Sequence, residues 1–506
     1  MKFSKNDLAA ILGCIVAIAA LPTTPTHAQQ ERAVNQTSGG NLGTVQHAGQ
    51  ILRAGPVLLK LEDGELRYLR VGDKEIVRRI YFGVRDGNWA TAMPRFTKMQ
   101  VEKADDHFTI DMAAECKKGP VDYHWTGTVS GAADGKITFH AQGAANADFD
   151  SNRIGLCVLF GTPSLAGQAF ATDGSPAQGT FPRLVAGELV GKQFHSLRYT
   201  TDHGLNVACT LEGAIFDMED QRNWGDSSWK AYAPLPYAYK QVKKGESKEE
   251  TVTISVTGVN AAETRPSRQD PVRVKIGTIV EGSRVPMLVA PSAIKDHVEF
   301  TGISFSRDKF KGKEQISWSY TPTEHLPDND VAMENMPALE DQAKTVRSIS
   351  PGATLYVGPI QLSKRGMDAR FAAPFGRAWA FGLVKYLAEG GVEQAAFDLP
   401  PGPASAALEA LRPYAGRPLV AVQTTPRYSH HITAFAIAGA TEHDAPTVFL
   451  VNRTAHAWHA QIETAARSAR LLAPGGEAKE SNAQASNGVI EVEVAPYGVL
   501  QLIEMN

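Results

Sequence analysis

The sequence lacks the features that mark several large classes of protein. Only four of its 506 residues are cysteine, and none of them shows CxxC spacing, so neither a disulfide scaffold nor a thiolate zinc site is indicated. The formal net charge is −3 and there is no block of basic residues, which argues against nucleic acid or an anionic membrane as a partner. At about 150 residues per domain, this length predicts about three domains.

The N-terminus has the pattern of a secretory signal peptide. Two lysines precede an apolar run at residues 8–21, which is too short to span a bilayer comfortably, and small residues follow at a suitable cleavage position. A lipoprotein box ending at Cys14 fits less well, because the apolar run continues past it. We predict a signal peptide at 1–28, a linker at 29–47, and an exported protein, periplasmic or extracellular, without a membrane segment after signal removal.

Three cysteines remain in the mature chain, namely Cys116, Cys157 and Cys209. Each lies in an apolar, strand-like setting. We expect buried thiols, and the sequence leaves open whether one pair forms a disulfide in an oxidising compartment.

Closely spaced strand patterns dominate residues 48–259. Alternating runs are separated by turns such as Asp63-Gly64, a strong hairpin signal, and residues 153–160 form a continuous apolar run typical of a central strand. This density of short strands predicts a large β-sandwich. A polar linker at 260–271 follows it, and a return to strand patterns at 415–506 predicts a small C-terminal β-sandwich.

Residues 272–414 alternate between strand and helix patterns. The predicted strands are 272–277, 316–320, 354–362 and 392–398, and the predicted helices are 336–348, 375–388 and 404–411. This order implies parallel strands with active groups at their carboxyl ends. A closed eight-stranded barrel needs at least about 200 residues, so we expect a shortened TIM-barrel-like domain or an open α/β layer. The predicted fold class is multidomain α+β, with this domain between two β-sandwiches.

Common catalytic and cofactor motifs are absent from the sequence. It contains no HExxH, no Gly-x-Ser-x-Gly, no phosphate loop and no GxGxxG after a strand. The adjacent pair His430-His431 has no partner at a recognisable metal spacing. We therefore predict no metal and no cofactor.

The segment at residues 216–230 concentrates carboxylates, one guanidinium, amides and two indoles. Its polar run from Glu219 to Asn223 breaks the alternation of a half-buried strand. A guanidinium offers a planar fork to carboxylate or carbonyl oxygens, and an indole offers a flat apolar face. This mixture suits a polyhydroxylated ligand, although an internal Arg–carboxylate network that locks a domain corner fits the composition equally well.

A second group of candidates follows predicted strands of the central domain. Glu324 and His325 come after one strand, and Asp398 ends another. Carboxylates in different environments can divide the roles of acid and base between them. Further candidates for the ligand surface are Asn88, Trp89 and Arg153.

The hexapeptide Glu219-Asp220-Gln221-Arg222-Asn223-Trp224 resembles the D-apionate lactonase family. Other similar segments are residues 80–89 (IYFGVRDGNW), 152–159 (NRIGLCVL), 181–184 (FPRL), 321–325 (TPTEH) and 357–362 (VGPIQL). The resemblance covers nearly the whole mature chain. It implies an N-terminal β-sandwich, a central TIM-type barrel, a C-terminal β-domain and hydrolysis of a sugar-derived lactone to its aldonate. The chain departs from the family pattern in its short central domain, in Asp398 where Glu is expected, and in Glu324.

The first functional hypothesis is therefore a lactonase that opens an apionolactone-like aldonolactone by carboxylate-assisted attack of water. Its predicted catalytic residues are Glu219 or Asp220 as general base, Arg222 with Asn223 as oxyanion stabilisers, Glu324 or His325 as the acid, and Asp398. Its predicted substrate contacts are Asn223, Trp224, Asp226, Trp229 and Arg153.

Two other functions stay open. A secreted glycoside hydrolase would use paired carboxylates, and a non-catalytic glycan-binding protein would carry a degenerate barrel. The expected partner in each case is a small-molecule sugar lactone or a glycan, and the oligomeric state is undetermined. All three hypotheses require that the segment at 216–230 faces a pocket shared with the α/β layer.

Overall fold

The computed structural model describes residues 49–187, 189–234, 240–259, 271–293, 302–323, 325–363, 368–425, 431–441, 443–475 and 480–505. The predicted signal peptide at 1–28, the linker at 29–47, Glu324 and all but the last residue of the linker at 260–271 lie outside this part of the chain. Within it, no helix combines the length and apolar character needed to cross a membrane.

The described residues between positions 49 and 259 form two large antiparallel sheets. In chain order the strands are β1 (Gln50–Ala54), β2 (Val57–Glu62), β3 (Glu65–Val71), β4 (Lys74–Asp86), β5 (Pro94–Lys103), β6 (Phe108–Lys118), β7 (Val121–Gly131), β8 (Ile137–Ala145), β9 (Phe149–Gly161), β10 (Ala169–Thr172), β11 (Gln178–Thr180), β12 (Gly191–Phe194), β13 (Ser196–Thr200), β14 (Asn206–Glu212), β15 (Phe216–Asp220), β16 (Ser228–Tyr232), β17 (Lys240–Val242) and β18 (Ser247–Thr257). Sheet 1 has the order β1-β2-β3-β4-β9-β16-β15-β12, with β17 also paired to β9, and sheet 2 has the order β11-β10-β13-β14-β18-β8-β7-β6-β5. A short helix, α1 (Thr162–Leu165), follows β9.

Local sequence explains the turns and the central strand of this domain. Asp63 and Gly64 have φ angles of 48° and 75°, the left-handed values that a two-residue hairpin turn needs at both positions. Strand β9 is buried continuously from Ser151 to Gly161, as the apolar run at 153–160 predicted. The expected strand-rich N-terminal domain is confirmed.

Sheet 1 has one apolar face and one polar face. The core shared with sheet 2 contains alternate residues of β9 between Ile154 and Phe160, together with the even-numbered Met218 of β15. Side chains alternate along a strand, so Arg153 and Leu159 of β9 project from the opposite, outer face. Lys230 of β16 lies on the same outer face, because its neighbours in sequence belong to the core.

The central part of the chain contains a parallel α/β layer. Its elements begin after β19 (Val272–Arg284) and are β20 (Met287–Leu288), α2 (Arg307–Phe310), β21 (Gln315–Tyr320), α3 (Asn329–Glu334), α4 (Pro337–Ile349), β22 (Thr354–Ile360), α5 (Pro374–Glu389), β23 (Gln394–Phe397) and α6 (Pro403–Glu409). Sheet 3 has the order β20-β23-β22-β21, and all its pairs are parallel. The strands and helices predicted from residue 316 onward are confirmed to within a few residues.

The described strands of the central part form an open α/β layer, one of the two expected forms, and do not show a TIM-type barrel. Sheet 3 has four strands in an open order. The segment 272–277, predicted as the first strand of this domain, belongs to β19, which pairs with C-terminal strands. A local strand pattern predicts extended backbone but carries no information about which sheet the strand joins, and this explains the error.

The C-terminal part of the chain forms a mixed sheet with β19. Its other strands are β24 (Pro418–Thr425), β25 (Ile432–Ile437), β26 (Thr447–Asn452), β27 (Trp458–Glu463), β28 (Ser468–Leu472), β29 (Ser481–Gln484), β30 (Val489–Val494) and β31 (Val499–Met505). Sheet 4 has the order β29-β28-β31-β26-β25-β24-β19-β27-β30. Helix α5 packs on it through Phe381, whose ring centre lies 5.9 Å from that of Phe435 and 5.3 Å from that of Phe449.

Ion pairs fasten the α/β layer to sheet 1. Arg67 on β3 donates two hydrogen bonds to Asp328, from Nη1 at 3.1 Å and from Nη2 at 3.0 Å. The same carboxylate accepts the N–H of Val331 at 2.9 Å and so caps α3. At the other end of that helix, Glu334 accepts from Arg79 Nη2 at 2.7 Å. These contacts fix α3, and the loop before it, against the polar face of sheet 1.

Candidate active site

A cleft lies between the outer face of sheet 1 and residues 325–335 of the α/β layer. The space free of atoms is about 310 Å³ when open solvent is included, but the room inside it is about 10 Å³, enough for about one water molecule. Polar groups from both sides line it, including Tyr81, Gln221, Asp226 and Lys230 of the sandwich and His325 and Asn335 of the α/β layer. Part of the segment at 216–230, namely Gln221, Asp226 and Lys230, therefore lines a small cavity shared with the α/β layer, and a sugar-binding pocket at this place stays a prediction.

Strand register sets the floor of the cleft. Leu159 is paired with Arg79 on one neighbouring strand and with Lys230 on the other, and Lys230 is paired in turn with Glu219. Directly opposed residues on one face of a sheet have Cβ atoms about 4.5–5.5 Å apart. These four residues form a row across the outer face, with charged groups on both sides of one leucine.

Asp226 and His325 form a hydrogen-bonded pair in this cleft. Asp226 Oδ2 lies 2.5 Å from His325 Nδ1, and Oδ1 accepts from Asn335 Nδ2 at 3.0 Å. An ionised carboxylate only accepts hydrogen bonds, so Nδ1 carries the proton. Nε2 is then the ring nitrogen left to accept a proton from a bound molecule.

A glycine turn brings Asp226 to the cleft. The short 3₁₀ helix Gln221–Trp224 ends at Gly225, whose φ of 94° is left-handed. A Cβ atom at this position would lie 2.9 Å from the carbonyl oxygen of Thr321, four residues before His325. Glycine is therefore needed both for the turn and for the close approach of the two chain segments.

The environment of His325 keeps its imidazole neutral near pH 7. Burial lowers the pKa of His325, and the Asp226 carboxylate opposes this effect only in part, while the charge of Lys230 lowers the pKa further. The side chain of His325 is 16% exposed and that of Asp226 8%. The imidazole therefore reaches the cleft in the form that can act as a general base.

Lys230 is a buried lysine whose pKa is lowered far below the ordinary lysine value. Burial lowers its pKa to about 7, and the guanidinium groups of Arg153 and Arg85 act in the same direction. Its Nζ donates to Gln221 Oε1 at 2.6 Å. Burial raises the pKa of Glu219, but Lys230 and Arg153 outweigh it and hold the net pKa below the ordinary value. The neutral imidazole of His325 thus lines the same cleft as Lys230, whose pKa is close to neutral pH.

Asp220 and Arg222 form an internal ion pair away from the cleft lining. Arg222 is 0% exposed, and its Nε and Nη2 donate to the two Asp220 oxygens at 2.9 and 2.7 Å. Its remaining N–H groups donate to Asp341 and to backbone carbonyl oxygens of residues 182–184. Because every donor is used inside the protein, we correct the predicted roles of Asp220 as base and Arg222 as oxyanion stabiliser to structural ones.

Asn223 and Trp229 are also parts of the scaffold. Asn223 donates to the Ala186 carbonyl at 2.8 Å and accepts from the Ser304 N–H at 3.0 Å. The indole of Trp229 is completely buried, with its ring centre 4.8 Å from that of Phe181. Neither side chain is free to bind a sugar, so the predicted oxyanion and substrate contacts at these positions are corrected as well.

The other predicted residues have different positions. Trp224 Nε1 donates to Glu219 Oε1 at 3.3 Å, and Glu219 is paired with Lys230 in sheet 1. Asp398 is exposed at the carboxyl end of β23, accepts from Gln361 at 2.6 Å, and is not part of the cleft lining. A catalytic role for Asp398 thus finds no support in the described part of the chain, and Glu324 lies outside it.

Arg153 lies on the outer face of sheet 1 next to two aromatic side chains. Its Cζ is 3.4 Å from the ring centre of Tyr232 and 5.8 Å from that of Trp89. Trp89 is 47% exposed and has a left-handed φ of 67°. The turn that carries it is held by Asp86, whose Oδ1 accepts two backbone N–H groups. Trp89 offers an exposed indole face of the kind that was predicted for Trp229.

Sequence reasoning missed Lys230, Gln221 and Asn335 as site residues. A lysine between Trp229 and Tyr232 in a strand next to the continuous apolar run of β9 was the one available signal, because a buried lysine is rare without a specific reason. Asn335 belongs to the site only through its contact with Asp226, which comes from a distant part of the sequence.

The cysteines have no place in this chemistry. Cys116, Cys157 and Cys209 are buried free thiols, and burial raises the pKa of Cys116 and Cys209 to about 12. Within the described residues, no three or more His, Cys, Asp or Glu side chains converge closely enough to hold a metal ion.

Comparison with solved structures gives only loose similarity. CelM2, a bifunctional glucanase-xylanase from a metagenome library, superposes with a TM-score of 0.31 at 15% identity over 38% of this chain and 44% of that one. The family 44 endoglucanase Cel44A from Clostridium thermocellum gives 0.32 at 12% identity over 40% and 51%. TM-scores this low support no conclusion about the fold or function of this protein.

Sequence comparison is more specific. A curated D-apionate lactonase from Brucella anthropi is 28% identical over 254 residues, which cover 48% of this chain and 41% of that relative. The match thus spans about two fifths of the relative's length. Residues 41–259 match the family model described as D-apionate lactonase, N-terminal domain. The resemblance read from the motifs is therefore confirmed for residues 41–259, the part of the chain that is similar to the D-apionate lactonase N-terminal domain.

Proposed function

We propose that this protein is a hydrolase that opens a sugar-derived aldonolactone to the aldonate. The observation that carries the proposal is the Asp226–His325 pair, with its 2.5 Å contact and its position in a cleft. A neutral imidazole held by a carboxylate is a suitable general base for water. The choice of an aldonolactone rests on the D-apionate lactonase relative.

In the proposed reaction, His325 Nε2 removes a proton from water while the water oxygen attacks the lactone carbonyl carbon. The new C–O bond forms, and the carbonyl electron pair moves onto oxygen. When the tetrahedral intermediate collapses, the ring C–O bond breaks and the ring oxygen takes the proton from the His325 imidazolium. The product is a hydroxy acid, which loses its carboxyl proton at neutral pH.

Two groups of the cleft assist these steps. Asp226 accepts the Nδ1–H of His325, and its negative charge stabilises the imidazolium that forms. Asn335 donates to the other Asp226 oxygen and so holds the carboxylate in place. The Lys230 ammonium group supplies positive charge in the cleft for the oxyanion. One well-placed oxyanion donor is typically worth about 3 kcal/mol of barrier. His325 therefore takes the role that was first assigned to Glu219 or Asp220.

A glycosidase mechanism fits the described residues less well. It needs one carboxylic acid and one free carboxylate across the scissile bond. Asp226 is engaged by His325 and Asn335, and Glu334, the other carboxylate of the cleft lining, accepts from Arg79 and from Tyr68, each at 2.7 Å. Neither is placed as a free nucleophile or acid.

The test is an assay of the purified full chain against a panel of aldonolactones, with acid release followed by pH-stat and reducing-sugar release from plant glycans measured in parallel. The proposal expects acid release above the uncatalysed rate for at least one lactone and no release of reducing sugar. Reducing-sugar release without lactone opening would select the glycosidase, and saturable binding with no turnover would select a glycan-binding protein.

A further inference from the structure

Two arginines lie side by side on the outer face of sheet 1. Arg85 of β4 and Arg153 of β9 are directly opposed in the strand register, and they are only 6% and 4% exposed. No ion pair to either guanidinium is found within the part of the chain that the structure describes. Two like charges buried next to each other repel, and burying an ion without a partner costs several kcal/mol.

The hydrogen-bonding capacity of Arg153 is largely unused. Nε and Nη1 are buried and have no hydrogen-bond partner among the described residues. The contact of its guanidinium with the face of Tyr232, 3.4 Å from Cζ to the ring centre, satisfies the charge in part. It leaves these in-plane N–H groups without an acceptor. A buried donor on a charged group is satisfied by an ordered water, an ion or a ligand, and an anion would also neutralise its charge.

This arginine pair adjoins the catalytic cleft. Arg153 and Lys230 lie near the same aromatic ring, since Arg153 Cζ is 3.4 Å and Lys230 Nζ 5.7 Å from the ring centre of Tyr232. Lys230 lines the cleft, and both arginines lower its pKa. Glu219 is the carboxylate that acts on both Lys230 and Arg153, and it leaves an excess of positive charge. Beside Arg153, the exposed indole of Trp89 offers a flat surface for a sugar ring or chain.

We propose that Arg85 and Arg153 bind the carboxylate of a sugar acid at the end of the cleft next to Lys230, with Trp89 against the carbon chain. Arginine forks match a carboxylate with two parallel hydrogen bonds, and such an anion would satisfy the N–H groups of Arg153. The inference rests on the proposed function in one respect, namely that the cleft receives a sugar derivative.

The carboxylate has two chemical sources. It is either the group that ring opening releases, in which case the arginines hold the product aldonate, or a second acid group that the lactone already carries. The recognising chemistry is the same in both cases. Comparing ligands with one and with two acid groups separates the sources.

The experiment is isothermal titration of the intact protein with D-gluconate, D-apionate, D-glucarate and the uncharged D-glucitol. We expect the acids to bind and D-glucitol to bind at least tenfold more weakly. Arg153→Met and Arg85→Met should each raise the Kd of the acids about 10- to 100-fold, as expected for charge-assisted hydrogen bonds, and leave the weak D-glucitol binding unchanged. Arg198→Met, an exposed change on β13, is the matched control and should not alter binding.

The binding data test the arginine site separately from the lactonase activity. If D-glucarate binds at least tenfold more tightly than the aldonates, the acid group belongs to the substrate, and equal binding assigns the site to the product. Acid binding that is unchanged in Arg153→Met and Arg85→Met overturns the inference, even if lactones are opened. Arginine-dependent acid binding without lactone opening supports the inference and refutes the lactonase. Thermal unfolding of both variants shows that they are folded, and Arg153→Lys, which keeps charge but loses the fork, should recover only part of the affinity.

Discussion

Asp226 and His325 are 99 positions apart in the sequence, yet the Asp226 Oδ2 and His325 Nδ1 atoms lie 2.5 Å apart. Asp226 follows a turn of the sandwich, and His325 lies in the loop that follows β21 of the α/β layer. The pair exists only because the α/β layer is docked on the polar face of sheet 1. The candidate site therefore depends on this interface as much as on its own residues.

Replacing Asp226 with Asn should slow lactone opening about 10²- to 10⁴-fold, the usual range for a general-base contribution. The amide cannot stabilise the imidazolium. Since the Asp226 carboxylate raises the pKa of His325 against the effect of burial, its loss should also move the acidic limb of the pH–rate profile to lower pH. The measurement is kcat/KM against pH for wild type and variant, and an unchanged acidic limb would show that the two residues are not coupled.

The wild-type pH–rate profile should be a narrow bell. Activity should rise with pH as His325 loses its proton, and the pKa of this step lies below the ordinary histidine pKa of about 6.5. Activity should fall again as Lys230 loses its proton, with a pKa of about 7. Lys230→Met should remove the alkaline limb and lower the maximal rate. The uncatalysed hydroxide rate is subtracted at each pH. If wild type and Lys230→Met give the same alkaline limb, Lys230 has no part in the reaction.

Arg222→Met should cost about 3–5 kcal/mol of unfolding free energy, because it leaves Asp220 buried without its ion-pair partner. Asp341 also loses the cation that lowers its pKa against burial. The measurement is urea unfolding, with exposed Arg198→Met as a control that should stay within about 0.5 kcal/mol. The folded fraction should keep wild-type kcat. A large fall in kcat at unchanged stability would instead restore Arg222 to the active site.

Arg67→Met should weaken the docking of α3 and with it the catalytic pair. The Arg67 guanidinium holds the pKa of Asp328 well below its usual range despite burial, so this carboxylate stabilises the fold above about pH 4, and the stabilisation is lost as pH falls through the lower folded-state pKa. We expect the free energy of unfolding to fall by about 2–3 kcal/mol at pH 7. The difference in this free energy between variant and wild type should be smaller in acid, and kcat should be reduced.

Arg95→Met is the control for this prediction. Arg95 is exposed, and its ion pair with Glu115 joins two strands of the same sheet. This substitution should change neither stability nor kcat by a measurable amount. A variant Arg67→Met with wild-type stability at pH 7 would show that the ion pair does not fasten the two parts of the chain.

Local patterns in the sequence were sufficient for most elements of the fold. The Asp63-Gly64 hairpin, the central strand β9 and the helices α4 and α5 all follow from periodicity and turn residues. The partners of β19 did not follow, because strand pairing between distant segments is decided by packing of the whole chain. For the same reason, the sequence left open whether the central domain is a shortened barrel or an open α/β layer.

The candidate site divides in the same way. Composition drew attention to the segment that supplies Asp226 to the cleft, and the position after a predicted strand drew attention to His325. Composition could not separate Arg222 from Lys230, because both are cations within one segment. Arg222 is enclosed by acceptors, whereas Lys230 reaches the cleft. That difference is one of side-chain direction, which alternates with each residue along a strand and changes again at the 3₁₀ turn.

The proposed general base is tested most directly by the rate of aldonolactone opening by wild type and by His325→Gln at pH 7, with the uncatalysed rate subtracted. His107→Gln, a change at an exposed histidine of the sandwich, is the control. We expect clear activity for wild type and control, and a fall of at least about 100-fold for His325→Gln at unchanged thermal stability. Equal activity in all three proteins would show that His325 is not the general base.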